Sequence, residues 1–170
     1  YIFHALFQRE KDIEYLQGMT VPTSFLTLFL DEVSAYAGTL QIMNGKYRMK
    51  ELYNDFKELN KFWNIAATVI QKRHPRLTQV FKRMAEENNN NAPFFVMAWI
   101  YQWYTNSFNI ELALRIFDVI IYEGLSALFT VADTIFHFTE RAILSYKLSD
   151  CNQMSQGLKT PFAMLQEPPT

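Results

Sequence analysis

The segment at residues 15–19, Tyr-Leu-Gln-Gly-Met, contains the residue types that are best suited to chemistry. The carboxamide of Gln17 both donates and accepts hydrogen bonds, so it can position a water molecule or a substrate amide. Gly18 lets the backbone adopt a tight turn that a side chain would hinder. Since Pro22 is best tolerated at the start of a helix, a helix is predicted to begin near it, with Thr20 or Val21 as its cap. Gln17 should therefore lie in an exposed turn just before that helix.

A second polar group is predicted on a stretch that is otherwise apolar. Glu111, Arg115 and Asp118 fall on one face of a helix. A buried charge needs a partner, so Arg115 is predicted to pair with Asp118 or with Glu111.

Two further clusters are interpreted as structural. Asp133, His137 and Arg141 follow one another at helical spacing, and without a second His or Cys nearby they predict a hydrogen-bonded stripe rather than a metal or catalytic site. Positive charge also gathers around one helix junction, at Lys72, Arg73, His74, Arg76, Lys82 and Arg83. That cluster is interpreted as a solvated face, the alternative being a dock for an acidic partner or a lipid headgroup.

Composition restricts the classes of protein and of site. The 170 residues suffice for one domain with a core, and 49% hydrophobic residues with only five Gly and six Pro favour a helix-rich protein. A net charge of -1 argues against nucleic acid as a partner. The single Cys cannot form an internal disulfide, and three scattered His do not make a zinc site, so a reducing, cytoplasmic setting is expected.

The elements that must position Gln17 are predicted to be helices throughout. The apolar periodicity predicts helices at 1–11, from near Pro22 up to a break at 38–45, from about 49 to before Pro75, around 77–84, and at 94–105, 110–122 and 125–146. The second of these is expected to be buried. Asn88 to Asn91 form a loop, and 147–170 are predicted to be an irregular tail that packs only if a neighbour receives Phe162, Met164 and Leu165. No apolar run is long enough to be a transmembrane segment.

Two motifs in order resemble the TBC domain, the all-helical module of Rab GTPase-activating proteins. The first follows the family's Y-x-Q-G-M pattern, at Tyr15, Gln17, Gly18 and Met19. The second follows F-x-x-x-x-W, L-R-I-W-D and E-G-x-x-x-L-F, at Phe94, Trp99, Leu114, Arg115, Ile116, Asp118, Glu123, Gly124 and Leu128. Departures from the patterns are Phe117 in place of Trp, and Thr20 and Pro22 beside the first motif.

The resemblance implies a fold class and a domain organisation. It implies an all-α, multi-helix TBC-like domain in which residues 1–146 form the C-terminal two-thirds, with the N-terminal part absent and 147–170 as a tail outside it. Trp99, Arg115, Asp118, Glu123 and Gly124 would then be structural motif residues that hold the fold.

The resemblance also implies a function, acceleration of GTP hydrolysis by a Rab-family small GTPase. Gln17 would be the catalytic glutamine finger that positions the attacking water, and Tyr15, Gly18 and Met19 would contact the GTPase or support the finger. No cofactor is expected, since GTP and magnesium belong to the GTPase. The family's arginine-finger motif, I-x-x-D-x-x-R-T, finds no match before Gln17, where Arg9 is the only Arg. Whether the chain is a GTPase activator is therefore uncertain from the sequence.

Two other interpretations stay open at this point. One is a catalytically inactive TBC-like scaffold within a larger assembly, which the tail would contact. The other is a generic helical bundle for an apolar ligand, which leaves the two ordered motifs unexplained. For a Rab-directed protein we expect a role in vesicle trafficking in the cytoplasm, with recruitment to membranes or to a cytoskeletal assembly.

Overall fold

The computed structural model describes residues 1–45, 47–147 and 150–161. Within them the chain forms ten α-helices, one short 3₁₀ helix and no strand, which confirms the all-α prediction. The helices are α1 Ile2–Arg9, α2 Thr20–Phe29, α3 Glu32–Asn44, α4 Met49–Asn54, α5 Phe56–Arg73, α6 Thr78–Glu87, α7 Phe94–Tyr101, α8 Ile110–Glu123, α9 Ser126–Ser145 and α10 Cys151–Gly157, with the 3₁₀ helix at Pro75–Leu77. None of these helices combines the length and the apolar character that crossing a membrane requires.

Aromatic side chains from α5, α6, α7 and α9 form the centre of the core. The Phe81 and Phe136 rings meet edge to face with centroids 4.9 Å apart, and Trp63 meets Phe95 in the same way at 6.1 Å. Trp99 completes the cluster, 4.7 Å from Phe95. Rings in such arrangements add to the stability that burial alone supplies. Trp99 is 3% exposed, and its role as a motif residue that holds the fold stays a prediction.

The first long apolar stretch is two helices rather than one, so the prediction of a single buried helix broken at 38–45 is wrong. The break lies at Leu30 and Asp31, because the Asp31 carboxylate accepts hydrogen bonds from the Val33 and Ser34 amides and so caps α3. The corner projects into solvent, with Phe29 68% and Val33 77% exposed.

The amphipathic pattern after residue 49 is likewise interrupted once. Asp55 is extended and accepts a hydrogen bond of 2.8 Å from the Lys57 amide, which ends α4 and begins α5. Helix α5 then ends at Arg73, before Pro75, as predicted. The shorter α6 and the Asn loop after it are also confirmed.

The three helices predicted in the second half are present, although α7 stops at Tyr101, four residues early. Trp103 and Tyr104 adopt positive φ values of 45° and 64°, which no helix accommodates. Burial of both side chains outweighs this strain, since Trp103 is 0% and Tyr104 1% exposed. Gly124, at φ 88°, ends α8.

The segment after Tyr146 is not wholly irregular, which corrects the prediction for residues 147–170. Helix α10 packs against α6 and α7, and Cys151, Met154 and Leu158 are each at most 2% exposed. Apolar residues three or four apart make this stretch amphipathic over two turns, too short to be evident from the sequence. Phe162, Met164 and Leu165 lie outside the described residues, and a domain boundary at 146 stays a prediction.

Candidate functional site

Gln17 lies where the sequence placed it, exposed in the turn at residues 17–19 that leads directly into α2. Three backbone amides fix the turn. The Met19 amide donates to the Leu16 carbonyl at 3.2 Å and the Val21 amide to the Gly18 carbonyl at 3.0 Å, while the Leu16 amide lies 3.0 Å from the Met19 sulfur. The backbone beneath Gln17 is thus held while its carboxamide faces outward.

Helix α2 begins at Thr20, two residues before Pro22 and with no side-chain cap, so neither Thr20 nor Val21 has the predicted capping role. Pro22 lies in the first turn, where a backbone N–H has no partner within the helix, and its missing donor is tolerated there. The departure from the family pattern at this residue therefore leaves the turn intact.

Gly18 sits where a side chain would not fit. Its φ is 110°, and a β-carbon on it would lie 3.0 Å from both the Tyr101 β-carbon and the Tyr101 carbonyl oxygen. Both the backbone conformation and the close approach of α7 therefore require glycine. The contact sets the position of the turn against the end of α7.

Tyr53 of α4 holds the Tyr101 carbonyl from the other side. Its hydroxyl donates a hydrogen bond of 2.9 Å to that oxygen, and the two rings lie 5.3 Å apart. Burial raises the pKa of Tyr53, with a further contribution from Tyr101, and burial raises the pKa of Tyr101 to about 12. Both phenols stay protonated at neutral pH, so the hydrogen bond is constant there.

A groove of about 610 Å³ opens beside Gln17, and we call it the Gln17 groove. Helix α7 forms an apolar wall, the segment after it adds Gln102 and Asn106, and the segment after α10 adds Lys159 and Thr160. The residues that line the groove are Leu16, Gln17, Phe94, Met97, Ala98, Tyr101, Gln102, Asn106, Lys159 and Thr160. Within the described residues the buried Gln102 Oε1 accepts no hydrogen bond. The groove is open enough for a segment of another protein to reach Gln17.

The other residues of the Y-x-Q-G-M motif divide into exposed and buried. Tyr15 is 60% exposed, so it is available to a partner, whereas Met19 is fully buried and acts beneath the turn. Arg9 does not line the Gln17 groove; it is paired with Glu10 at 3.6 Å and points to solvent.

The second motif belongs to a different part of the surface. Arg115 and Asp118 pair at 3.9 Å, as predicted, but their side chains are 84% and 69% exposed, so the expectation of a buried charge is wrong. Helix α8 buries Ala113, Ile116, Phe117 and Ile120 and leaves this face to solvent. Glu123 is exposed at the helix end. None of these residues lines the Gln17 groove among the described part of the chain.

The predicted ladder on α9 is also wrong. His137 and Arg141 are exposed, and Asp133 instead accepts hydrogen bonds from Arg73 at 2.7 Å and from His74 at 3.0 Å. The basic cluster at the end of α5 is therefore partly used for tertiary contacts, because α9 packs against that end. No group of His, Cys, Asp and Glu side chains in the described residues could hold a metal ion.

Sequence reasoning missed four residues of the site. Tyr53 and Tyr101 support the turn, and Gln102 and Lys159 line the Gln17 groove. They are distant from Gln17 in sequence and carry no spacing signal of their own. Only the packing of α4, α7 and α10 brings them together.

Comparison with known proteins places the chain in a family. The family model described as the Rab-GTPase-TBC domain matches residues 1–144. The chain is 28% identical over 121 residues to TBC1 domain family member 14 of Rattus norvegicus. This match covers 71% of the chain and 17% of that relative. It is 24% identical over 132 residues to the ecotropic viral integration site 5 ortholog of Drosophila melanogaster. This match covers 77% of the chain and 16% of that relative.

A third relative, TBC1 domain family member 12 of Xenopus tropicalis, is 24% identical over 133 residues, covering 78% of the chain and 19% of the relative. The matched region thus spans less than a fifth of each of these relatives. No solved structure gives a significant match. With the family model matching most of its length, the Gln-Gly turn in place and an all-α fold around it, the chain belongs to the Rab-GTPase-TBC domain family.

Proposed function

We propose that this chain accelerates GTP hydrolysis on a Rab-type small GTPase, with Gln17 as the finger that positions the attacking water. The observation that carries the proposal is an exposed carboxamide on a rigid turn, fixed from beneath by Gly18 against Tyr101. Membership of the family supports the choice of partner. The GTPase supplies GTP and magnesium, and such a domain acts in vesicle trafficking in the cytoplasm.

Positioning of the attacking water needs a group that both accepts and donates hydrogen bonds. A carboxamide oxygen can accept a hydrogen bond from the water while its NH₂ donates to a phosphoryl oxygen. The turn lowers the entropic cost of this arrangement, because the backbone of residues 16–21 is already held by its own hydrogen bonds. The contribution of this chain is then to orient the water in line with the transferred phosphoryl group.

The charge that develops on the phosphoryl oxygens is a separate requirement, one that an arginine finger meets in GTPase activation. No arginine lines the Gln17 groove in the described part of the chain. The proposal therefore assigns this chain only the positioning of the water. The same observation favours a second candidate function, a TBC-like module that binds its GTPase without accelerating hydrolysis.

Single-turnover GTP hydrolysis by a panel of Rab proteins, with and without the protein, tests the proposal. Gln17→Ala is expected to reduce the acceleration about 10²-fold or more, since the water loses its positioning group. Gln79→Ala, at an exposed glutamine on α6, is the matched control and should behave as wild type.

The two candidate functions predict different outcomes. Acceleration that Gln17→Ala removes and Gln79→Ala preserves supports the water-positioning finger. A folded wild-type protein that accelerates none of the GTPases, while still binding one of them in its GTP form, would establish the binding module instead.

A further inference from the structure

We propose that Lys159, in the segment after α10, binds a carboxylate of the GTPase and thereby docks an apolar, acidic segment of that partner in the Gln17 groove. The inference rests on the proposed function, and it adds the chemistry of the docked segment and a residue that determines specificity.

The Gln17 groove carries one positive charge among the described residues that line it. That charge belongs to Lys159, and the other described residues that line the groove are apolar or neutral polar. In the described part of the chain no ion pair joins Lys159 to a carboxylate. A partly buried lysine in a neutral groove attracts an anion from outside, and a carboxylate is the anion that a protein partner carries.

A contact with an aromatic ring fixes the position of the ammonium. Its Nζ lies 4.6 Å from the centroid of the Phe94 ring, a cation–π contact that holds the side chain at the rim of the groove. Phe94 itself is 62% exposed. An occupant that places a carboxylate on Lys159 would cover Phe94 and Met97 as well, so its neighbouring residues should be apolar.

The presence of Gln17 in the groove indicates which protein supplies this segment. Gln17 lines the same groove, and to position the attacking water it must lie against the nucleotide of the GTPase. The part of the GTPase that flanks its nucleotide therefore faces the groove. Lys159 then contacts that region rather than the nucleotide. The segment that meets Lys159 also covers the exposed Phe94 ring, so it must carry apolar side chains beside its carboxylate.

The wall of the groove that contains Lys159 is placed to affect specificity. The family model matches residues 1–144, whereas Lys159 and Thr160 lie beyond it. This wall of the groove therefore lies outside the residues that match the family model. A contact made there should affect how tightly a given GTPase binds and leave the chemical step to Gln17.

The test compares kinetic constants of Lys159→Met with wild type, using the Rab protein that wild type accelerates best. Methionine keeps an unbranched, flexible stem beside Phe94 and removes the ammonium group, together with its cation–π contact. KM for the GTP-loaded GTPase should rise about fivefold with kcat unchanged. Lys159→Arg should restore most of the wild-type KM, and Lys82→Met, at an exposed lysine on α6, is the matched control.

A direct binding measurement accompanies the kinetics, with the GTPase loaded with a non-hydrolysable GTP analogue at two salt concentrations. The affinity of wild type should fall with salt more steeply than that of Lys159→Met, since one ion pair is screened. Acidic residues flanking the nucleotide of the GTPase are then neutralised one at a time. The residue whose change has no further effect in Lys159→Met is the partner carboxylate.

The outcomes separate this inference from the proposed function. If wild type accelerates hydrolysis and Lys159→Met leaves both KM and affinity unchanged, the docking inference is overturned and the proposed function stands. If binding depends on Lys159 but no acceleration occurs, the docking holds and the catalytic proposal fails. Neither binding nor acceleration with any Rab protein overturns both.

Discussion

At the scale of the residue, Gly18 matters as much for the candidate site as Gln17 does. Its φ of 110° and the 3.0 Å approach of its missing β-carbon to Tyr101 decide where the turn lies. A residue with a β-carbon would strain the backbone and also push the turn away from α7. The position of the Gln17 carboxamide therefore depends on the absence of a side chain at its neighbour.

We expect Gly18→Ala to lower the free energy of unfolding by about 2 kcal/mol and to reduce GTPase acceleration as well. Urea unfolding followed by circular dichroism measures the first effect. Gly38→Ala is the control, because that glycine lies inside α3 and its β-carbon would meet only the mobile end of Leu26, at 2.8 Å. The free energy of unfolding of Gly38→Ala should remain within about 1 kcal/mol of the wild-type value. Equal loss in both variants would contradict the role given to Gly18.

At the scale of the element, α4 is a short helix that binds the end of α7 through one hydrogen bond. Its Tyr53 is 5% exposed and donates to the carbonyl of Tyr101 at the last turn of α7. Since Gly18 packs against that same residue, the contact links α4 to the turn before α2. Helix α4 and the turn before α2 thus both contact the Tyr101 carbonyl group of α7, although the three elements are distant in sequence.

Tyr53→Phe is predicted to lower the free energy of unfolding by about 1 kcal/mol, because a buried carbonyl loses its donor. The loss should be constant from pH 6 to pH 9, since burial raises the pKa of Tyr53 and keeps its phenol protonated. Chemical denaturation at both pH values provides the measurement. Tyr36→Phe is the control, as the Tyr36 hydroxyl makes no hydrogen bond within the described residues. A loss that changed between pH 6 and pH 9 would argue against this hydrogen bond.

At the scale of the whole molecule, Lys50 joins the first helix and the segment before Gln17 to α4. Its ammonium lies 3.2 Å from Glu10 and 2.7 Å from Asp12. The hydrogen bond from Lys50 lowers the pKa of Asp12, and the one to Asp12 is the largest cause of the raised pKa of Lys50. Asn54 adds a hydrogen bond of 2.8 Å to the Asp12 carbonyl.

This ion pair predicts how the stability of the fold depends on pH. A lowered pKa of Asp12 contributes stability that is present above the ordinary carboxyl pKa of about 4 and is lost as the pH falls through the lowered value. The raised pKa of Lys50 contributes stability that is present below about pH 10 and is lost as the pH rises through the raised value. The pair is therefore complete across the neutral range.

We expect Lys50→Met to be less stable than wild type at pH 7, and the difference between them to shrink at pH 3 as Asp12 becomes protonated. Urea unfolding at the two pH values checks this. Lys82→Met, at an exposed lysine on α6, should show no such convergence. A gap between wild type and Lys50→Met that stayed constant from pH 7 to pH 3 would show that Asp12 is not the relevant partner.

Local pattern alone determined much of this protein. The apolar periodicity predicted α5, α6, α8 and α9 because each buries one face over several turns. The motif with Gln17 was placed correctly before α2, since Gly and Pro restrict the backbone whatever surrounds them. The two ordered motifs led to the family that the comparison then established.

Tertiary structure alone decided the rest, because contacts between distant residues leave no periodicity in the sequence. A cap at Asp31 divided one apolar stretch into two helices, and Asp133 bonded to Arg73 and His74 instead of to its own helix. Packing of α10 on α6 and α7 gave order to part of the predicted tail. The same packing brought Lys159 to the Gln17 groove, since charge and burial there depend on which helices meet.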